Sequence, residues 1–187
     1  LDHPATYDSA RALAARFGLE FRTAELDPST GTVPSEAVLS KVDDNTVALA
    51  MIHASNITGT KNDIITISNL VKKKNPETLI LIDGAQHACH GKIDVDSYGV
   101  DAYVFVPYKI YSKIGTSFAH LSPRMAVLPH DKLLGKKRDE WDLGTREPAA
   151  FASMTKLLEY YSWLGGHFSE SEEPRKKILA AMEAIEC

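Results

Sequence analysis

Thr78-Leu79-Ile80-Leu81-Ile82-Asp83-Gly84 decides the fold: an unbroken apolar run stops abruptly on an acid and a glycine. A run without polar alternation reads as a parallel strand covered on both faces. Val47-Ala48-Leu49-Ala50-Met51-Ile52 upstream has the same character. Tyr103-Val104-Phe105-Val106 downstream is a third such strand, ending in Pro107-Tyr108-Lys109, and Ser117 to Leu121 reads as a fourth. Between the first two runs, Asp63 to Lys74 keeps Ile64, Ile67, Leu70 and Val71 at helical spacing. Lys72, Lys73 and Lys74 close that helix, where cations complement its dipole. Buried strands alternating with helices specify an α/β fold, a mostly parallel sheet flanked by helices.

Further out, Pro4 to Phe17 reads as a helix with Pro in its first turn and Gly18 as its stop. Leu19 to Leu26 alternates (Leu19, Phe21 and Thr23 against Glu20, Arg22 and Ala24) and is predicted to be a half-buried strand. Asp27-Pro28-Ser29-Thr30-Gly31 is a turn by composition, followed by a short helix over Pro34 to Val42. Pro148 to Leu164 and Pro174 to Ile185 read as helices, with Gly165-Gly166 between them.

Composition narrows the function. With 44% hydrophobic residues in 187, the chain can bury a sizeable core. Lys and Arg total 21 against 25 for Asp and Glu, and this acid balance argues against nucleic acid or an anionic membrane as the main partner. The apolar runs are far too short to span a bilayer, and with no basic segment followed by an apolar stretch in the first residues, no secretory signal is expected. Two cysteines, Cys89 and Cys187, do not make a disulfide framework, which fits a reducing, cytoplasmic setting. Leu1 at one end and a helical pattern at the other lead us to expect a piece of a longer protein.

In parallel sheets ligands gather beyond the carboxyl ends of the strands. Asn56 follows the first buried strand, Asp83 and Gln86 the second, and Lys109 the third. An Asp and a Lys so placed are what a pyridoxal-phosphate site needs: a carboxylate to keep the pyridine nitrogen protonated, an amine to form a Schiff base. A plain Asp83–Lys109 ion pair is the alternative on spacing alone. His87, Cys89 and His90 could suggest a metal, but zinc motifs pair ligands at both ends of a longer loop and no second cluster stands nearby. No Gly-x-Gly-x-x-Gly follows any strand, which disfavours a dinucleotide.

The runs His53-Ala54-Ser55-Asn56-Ile57-Thr58-Gly59-Thr60, Leu81-Ile82-Asp83-Gly84-Ala85-Gln86, and Tyr103-Val104-Phe105 ahead of Tyr108-Lys109 resemble the class V aminotransferase family. These are fold-type I enzymes of pyridoxal 5′-phosphate, and the likeness is to cysteine desulfurase-like members. The resemblance implies the large domain of that fold over residues 1–165, with 166–187 leading to a second, smaller domain. It implies that His3 stacks on the pyridine ring near the substrate, and that Asn56 contacts the ring oxygen or the substrate carboxylate. It assigns Asp83 as the pyridinium partner, Gln86 as donor to the phenolic oxygen, and Lys109 as the Schiff-base lysine. Gly144-Thr145 matches a loop reaching the neighbouring subunit's cofactor, so a homodimer is implied. The expected activity is desulfurase-like chemistry on a small amino-acid substrate. Transamination or epimerisation on the same scaffold is the alternative, and an inactive fragment or binding module the second.

The departures are local. Many desulfurases carry Ser-Gly-His before the lysine, where Ser and His hold the phosphate; here stand Val106, Pro107 and Tyr108. Tyr108 can still donate through its hydroxyl, whereas Val106 cannot. Ser112 and Lys113 replace the usual Gly-Pro, and Arg146 follows Thr145. By the same resemblance, the family's phosphate-binding helix start lies before residue 1, and its substrate-carboxylate arginine and desulfurase cysteine loop after residue 187.

Overall fold

A computed structural model describes residues 2–144 and 147–186. Thr145, Arg146 and Cys187 lie outside the described residues, as does the cofactor role expected of Thr145.

The first helix, α1 (Pro4–Arg16), is capped at its start by the ring nitrogen of His3, and α2 (Ser35–Leu39) starts after Pro34. Then β1 (Ala48–Ile52), α3 (Ile64–Lys74) and β2 (Leu79–Asp83) form a strand–helix–strand unit. The Asp63 carboxylate accepts from the Thr66 amide and starts α3, as a good N-cap does. A short helix, α4 (Val95–Tyr98), leads to β3 (Ala102–Phe105), and β4 (Phe118–Leu121) follows. The chain closes with α5 (Pro123–Ala126), α6 (Pro148–Gly165) and α7 (Pro174–Glu186).

The strands lie side by side in the order β1-β2-β3-β4. β1 and β3 both pair with β2 in parallel, and β4 adds antiparallel to β3. Ile52 is in register with Asp83, and Asp83 with Val104, so the carboxyl ends of the parallel strands form one edge.

The core lies on one face of this sheet. Met51, Ile80, Ile82 and Tyr103 pack against Val38, Ile64, Ile67, Val71 and Tyr98 from α2, α3 and α4. Cover on both faces was expected from the unbroken apolar runs. Instead Leu79 and Leu81 are half-buried and Val104 is exposed, so β2 alternates between covered and partly covered residues. A second cluster joins Leu157 and Tyr161 of α6 to Ala181 of α7 and to Ile110.

A further expectation is corrected. Leu19 to Leu26 forms no strand and has no regular secondary structure; it is tied by the contact of Phe21 with Tyr7 and by Arg22 to Glu20 and Asp43. Alternation alone cannot make a strand where no neighbouring edge accepts it. Trp141 is half-buried, stacks on His130 at 4.0 Å and donates to the Ala126 carbonyl at 2.9 Å.

At the opposite edge of the sheet from the strand ends, Asp101 is buried and gathers Lys72, Arg124, Ser122 and the Ile80 amide. Burial would raise its carboxyl, but these donors outweigh that and hold it well below the usual carboxylate range. The buried charge is thereby fully hydrogen-bonded, which is the condition for tolerating it.

Candidate active site at the carboxyl edge of the sheet

Asp83 is the last residue of β2 and is half-buried. Its Oδ1 accepts from the Ala85 amide at 3.0 Å, and its Oδ2 from the Thr6 hydroxyl at 2.9 Å. The first turn of α1 therefore sits over the end of β2. Asp2 reinforces this placement, because its carboxylate accepts from the Ile52 amide at 2.7 Å. Thr6 and Asp2 were not singled out in the sequence, since a contact spanning 77 positions leaves no local pattern.

Lys109 belongs to a 3₁₀ turn, Pro107–Ile110, that follows β3. Pro107 and Ile110 are buried and pin the turn, while Lys109 is half-buried between them. Tyr111 closes it in the left-handed region at φ 70°, costly for a residue with a bulky side chain. Beyond it, the Ser112 hydroxyl meets that of Ser153 at 3.0 Å, and the Lys113 ammonium meets Glu147 at 2.9 Å. The unusual Ser112-Lys113 pair thus docks this segment onto the start of α6.

The Lys109 ammonium donates to Oε1 of Gln86 at 3.1 Å, and the Gln86 amide nitrogen lies 3.1 Å from Nε2 of His90. Among the described residues no ion pair joins Asp83 to Lys109; the carboxylate serves Thr6 and the amine serves Gln86. The sequence-predicted Asp83, Gln86 and Lys109 thus lie on adjoining turns at one edge. His3 is exposed at the start of α1, with Nδ1 held by the Ala5 amide at 3.1 Å. Asn56 is exposed on a loop braced by Ser55, whose Oγ accepts from the Ile57 and Thr58 amides. Tyr108 is exposed beside Lys109.

Beneath the turn lies a buried pair that residue spacing did not reveal. The rings of His53 and His87 stack at 3.6 Å, and His53 Nδ1 meets the Tyr103 hydroxyl at 3.0 Å. Burial, aided by His87 and Lys61, pushes His53 down to about 3, and burial also lowers His87. Both rings are neutral at ordinary pH. The His53 amide donates to the Asp83 carbonyl at 2.8 Å, so the stack supports the strand ends that carry the acid.

This donor set suits the ring of pyridoxal phosphate: a fixed carboxylate, an amide facing an amine, and an imidazole above the same edge. On the side of Lys109 it offers the phosphate fewer donors, because Val106 and Pro107 have no side-chain donor whereas Tyr108 carries a hydroxyl.

The sequence profile of the Aminotransferase class-V family matches residues 1–185. Cysteine desulfurases of Escherichia fergusonii and Shigella sonnei are 32% and 33% identical to the chain over 181 residues. Each alignment covers 88% of this chain and 44% of the relative, so the chain spans less than half the length of these relatives. A solved NifS-like protein superposes with a TM-score of 0.71 at 25% identity, over 89% of this chain and 46% of that one. A structure titled SspA in complex with cysteine shares the fold with a TM-score of 0.70 at 19% identity, over 96% of this chain and 54% of that one. The chain belongs to the class V aminotransferase family.

Proposed function

We propose that the chain supplies the cofactor-bearing part of a pyridoxal-phosphate-dependent enzyme acting on an amino acid, with desulfurase-like chemistry. The observation that carries this is the Lys109–Gln86 contact lying at the same carboxyl edge of the sheet as Asp83, in a chain of this family. When bound, pyridoxal phosphate supplies an electron sink for a carbanion at the substrate's Cα.

The protein's own residues would divide the work. Asp83, held by Thr6 and the Ala85 amide, keeps a proton on the pyridine nitrogen. Lys109 attaches the cofactor and afterwards moves a proton at Cα. Gln86 orients the phenolic oxygen, His3 stacks above the ring, and Asn56 reaches the ring oxygen or the substrate carboxylate. Tyr108 donates to the phosphate. Residues 1–165 are the cofactor-binding domain in this reading, and 166–187 lead toward a second one. Thr145 reaches the cofactor of a partner subunit in a homodimer.

The test is direct. Full-length protein incubated with pyridoxal phosphate, cysteine and a dithiol reductant should release alanine and sulfide, the dithiol supplying the two electrons that free the sulfur as sulfide. Release of a keto acid would move the reading to transamination, and racemised substrate to epimerisation. Absence of cofactor binding would defeat the proposal.

A further inference from the structure

We propose that His90 is a positioning residue that sets which way the Gln86 amide points, and through it the surroundings of Lys109. The inference rests on the reading of Gln86 given above. A lysine ammonium has only donors, so the Gln86 atom facing Lys109 must be the oxygen. The atom facing His90 at 3.1 Å is then the amide NH₂, a donor. His90 Nε2 must accept, and its proton resides on Nδ1. The three residues form a directed chain, Lys109 to Gln86 to His90, and reversing any link reverses the amide.

Cofactor loading asks for that reversal. Once Lys109 is engaged, the Gln86 NH₂ must turn to the phenolic oxygen, and the amide oxygen then faces His90. His90 can follow only with a proton on Nε2, by changing tautomer or by becoming an imidazolium. An imidazolium has no lone pair to accept from NH₂, so a protonated His90 disfavours the orientation seen here and favours the loaded one. Facing His90 are His87 on its own turn and, across Gln86, Lys109 from the turn after β3. Burial disfavours the charged form of His87, and Lys109 places a positive charge on the far side of the Gln86 amide.

The test uses full-length protein. Imidazole nitrogen NMR of the cofactor-free form should find the His90 proton on Nδ1, with a shifted Nε2 resonance in Gln86→Leu; a proton on Nε2 overturns the proposal. In the loaded form, His90→Phe should weaken retention of pyridoxal phosphate about five-fold, which is about 1 kcal/mol. His90→Gln, which offers both a donor and an acceptor, should restore retention. No rescue by His90→Gln would show that His90 only packs, and overturns the idea. If wild-type protein binds no cofactor, the proposed function fails instead, and the tautomer of His90 alone decides the positioning role.

Discussion

The ring of Tyr103 fills the space that any side chain at residue 84 would need: a Cβ on Gly84 would overlap Cε1, Cζ and the hydroxyl. The ring cannot retreat, because Tyr103 is 1% exposed and its hydroxyl is held by His53. Gly84 follows Asp83 because β3 passes flush beneath the turn, not because the backbone there is left-handed. Gly84→Ala should therefore destabilise the fold by about 1–3 kcal/mol, the usual cost of overpacking, and weaken cofactor retention by displacing Asp83. Urea unfolding checks the first, and a loss below about 0.5 kcal/mol would show that the ring yields.

Borohydride reduction of full-length protein loaded with pyridoxal phosphate should fix the cofactor to Lys109, as read by peptide mass spectrometry. Lys113 is the nearby competitor in sequence, but its ammonium is paired with Glu147 at the start of α6. Label on Lys113 would show that the site is misplaced.

Replacing Asp83 with Ala should leave attachment at Lys109 possible while removing the partner of the pyridine nitrogen. Each pKa unit lost there corresponds to about 1.4 kcal/mol, so turnover should fall by orders of magnitude. The carboxylate holds the Thr6 hydroxyl and the Ala85 amide at the half-buried rim of the sheet, where water can replace it, so folding should survive. Near-normal turnover in Asp83→Ala, measured with cysteine as substrate, would refute the electron-sink role.

The order of elements was legible because it is local. The apolar runs, the Asp63 cap and the Gly and Pro punctuation mark β1, α3, β2, β3, α6 and α7 within a residue or two. Asp83, Gln86 and Lys109 were legible because strand ends are where a parallel sheet presents side chains. What stayed hidden depends on distant partners. Thr6 meets Asp83 only because α1 crosses the end of β2, and His53 meets His87 only because β1 and β2 are neighbours. The failed strand at Leu19 to Leu26 makes the same point, since pairing requires an edge that alternation cannot reveal. On α6, Leu157 and Tyr161 pack with Ala181 of α7 and Met154 joins them partly buried, whereas Phe151 and Leu158 remain exposed.

If the loop at Gly144-Thr145 completes a neighbouring site, full-length protein should be a dimer by light scattering. Thr145→Ala should then weaken cofactor retention without separating the subunits. A full-length monomer that holds pyridoxal phosphate tightly would defeat the cross-subunit reading.

Acid should expose the buried histidine pair before it touches Asp101. His53 is pushed down to about 3 in the fold, while an unfolded histidine titrates near about 6.5. A depressed folded value means that the unfolded chain binds the proton first. The stabilising contribution is therefore complete above about pH 6.5 and is lost as pH falls toward the folded value, at up to ~1.4 kcal/mol per pH unit. Asp101 behaves differently: its carboxyl is held below the usual range, so its contribution persists until pH falls below the ordinary carboxylate value of about 3.9. Between about pH 7 and pH 5, wild-type protein should lose about 2 kcal/mol more unfolding free energy than His53→Phe, which has nothing to protonate there. Urea titrations at the two pH values measure this difference. Equal losses in the two proteins would mean that the His53–His87 stack accepts a proton without opening, and that burial does not hold it neutral.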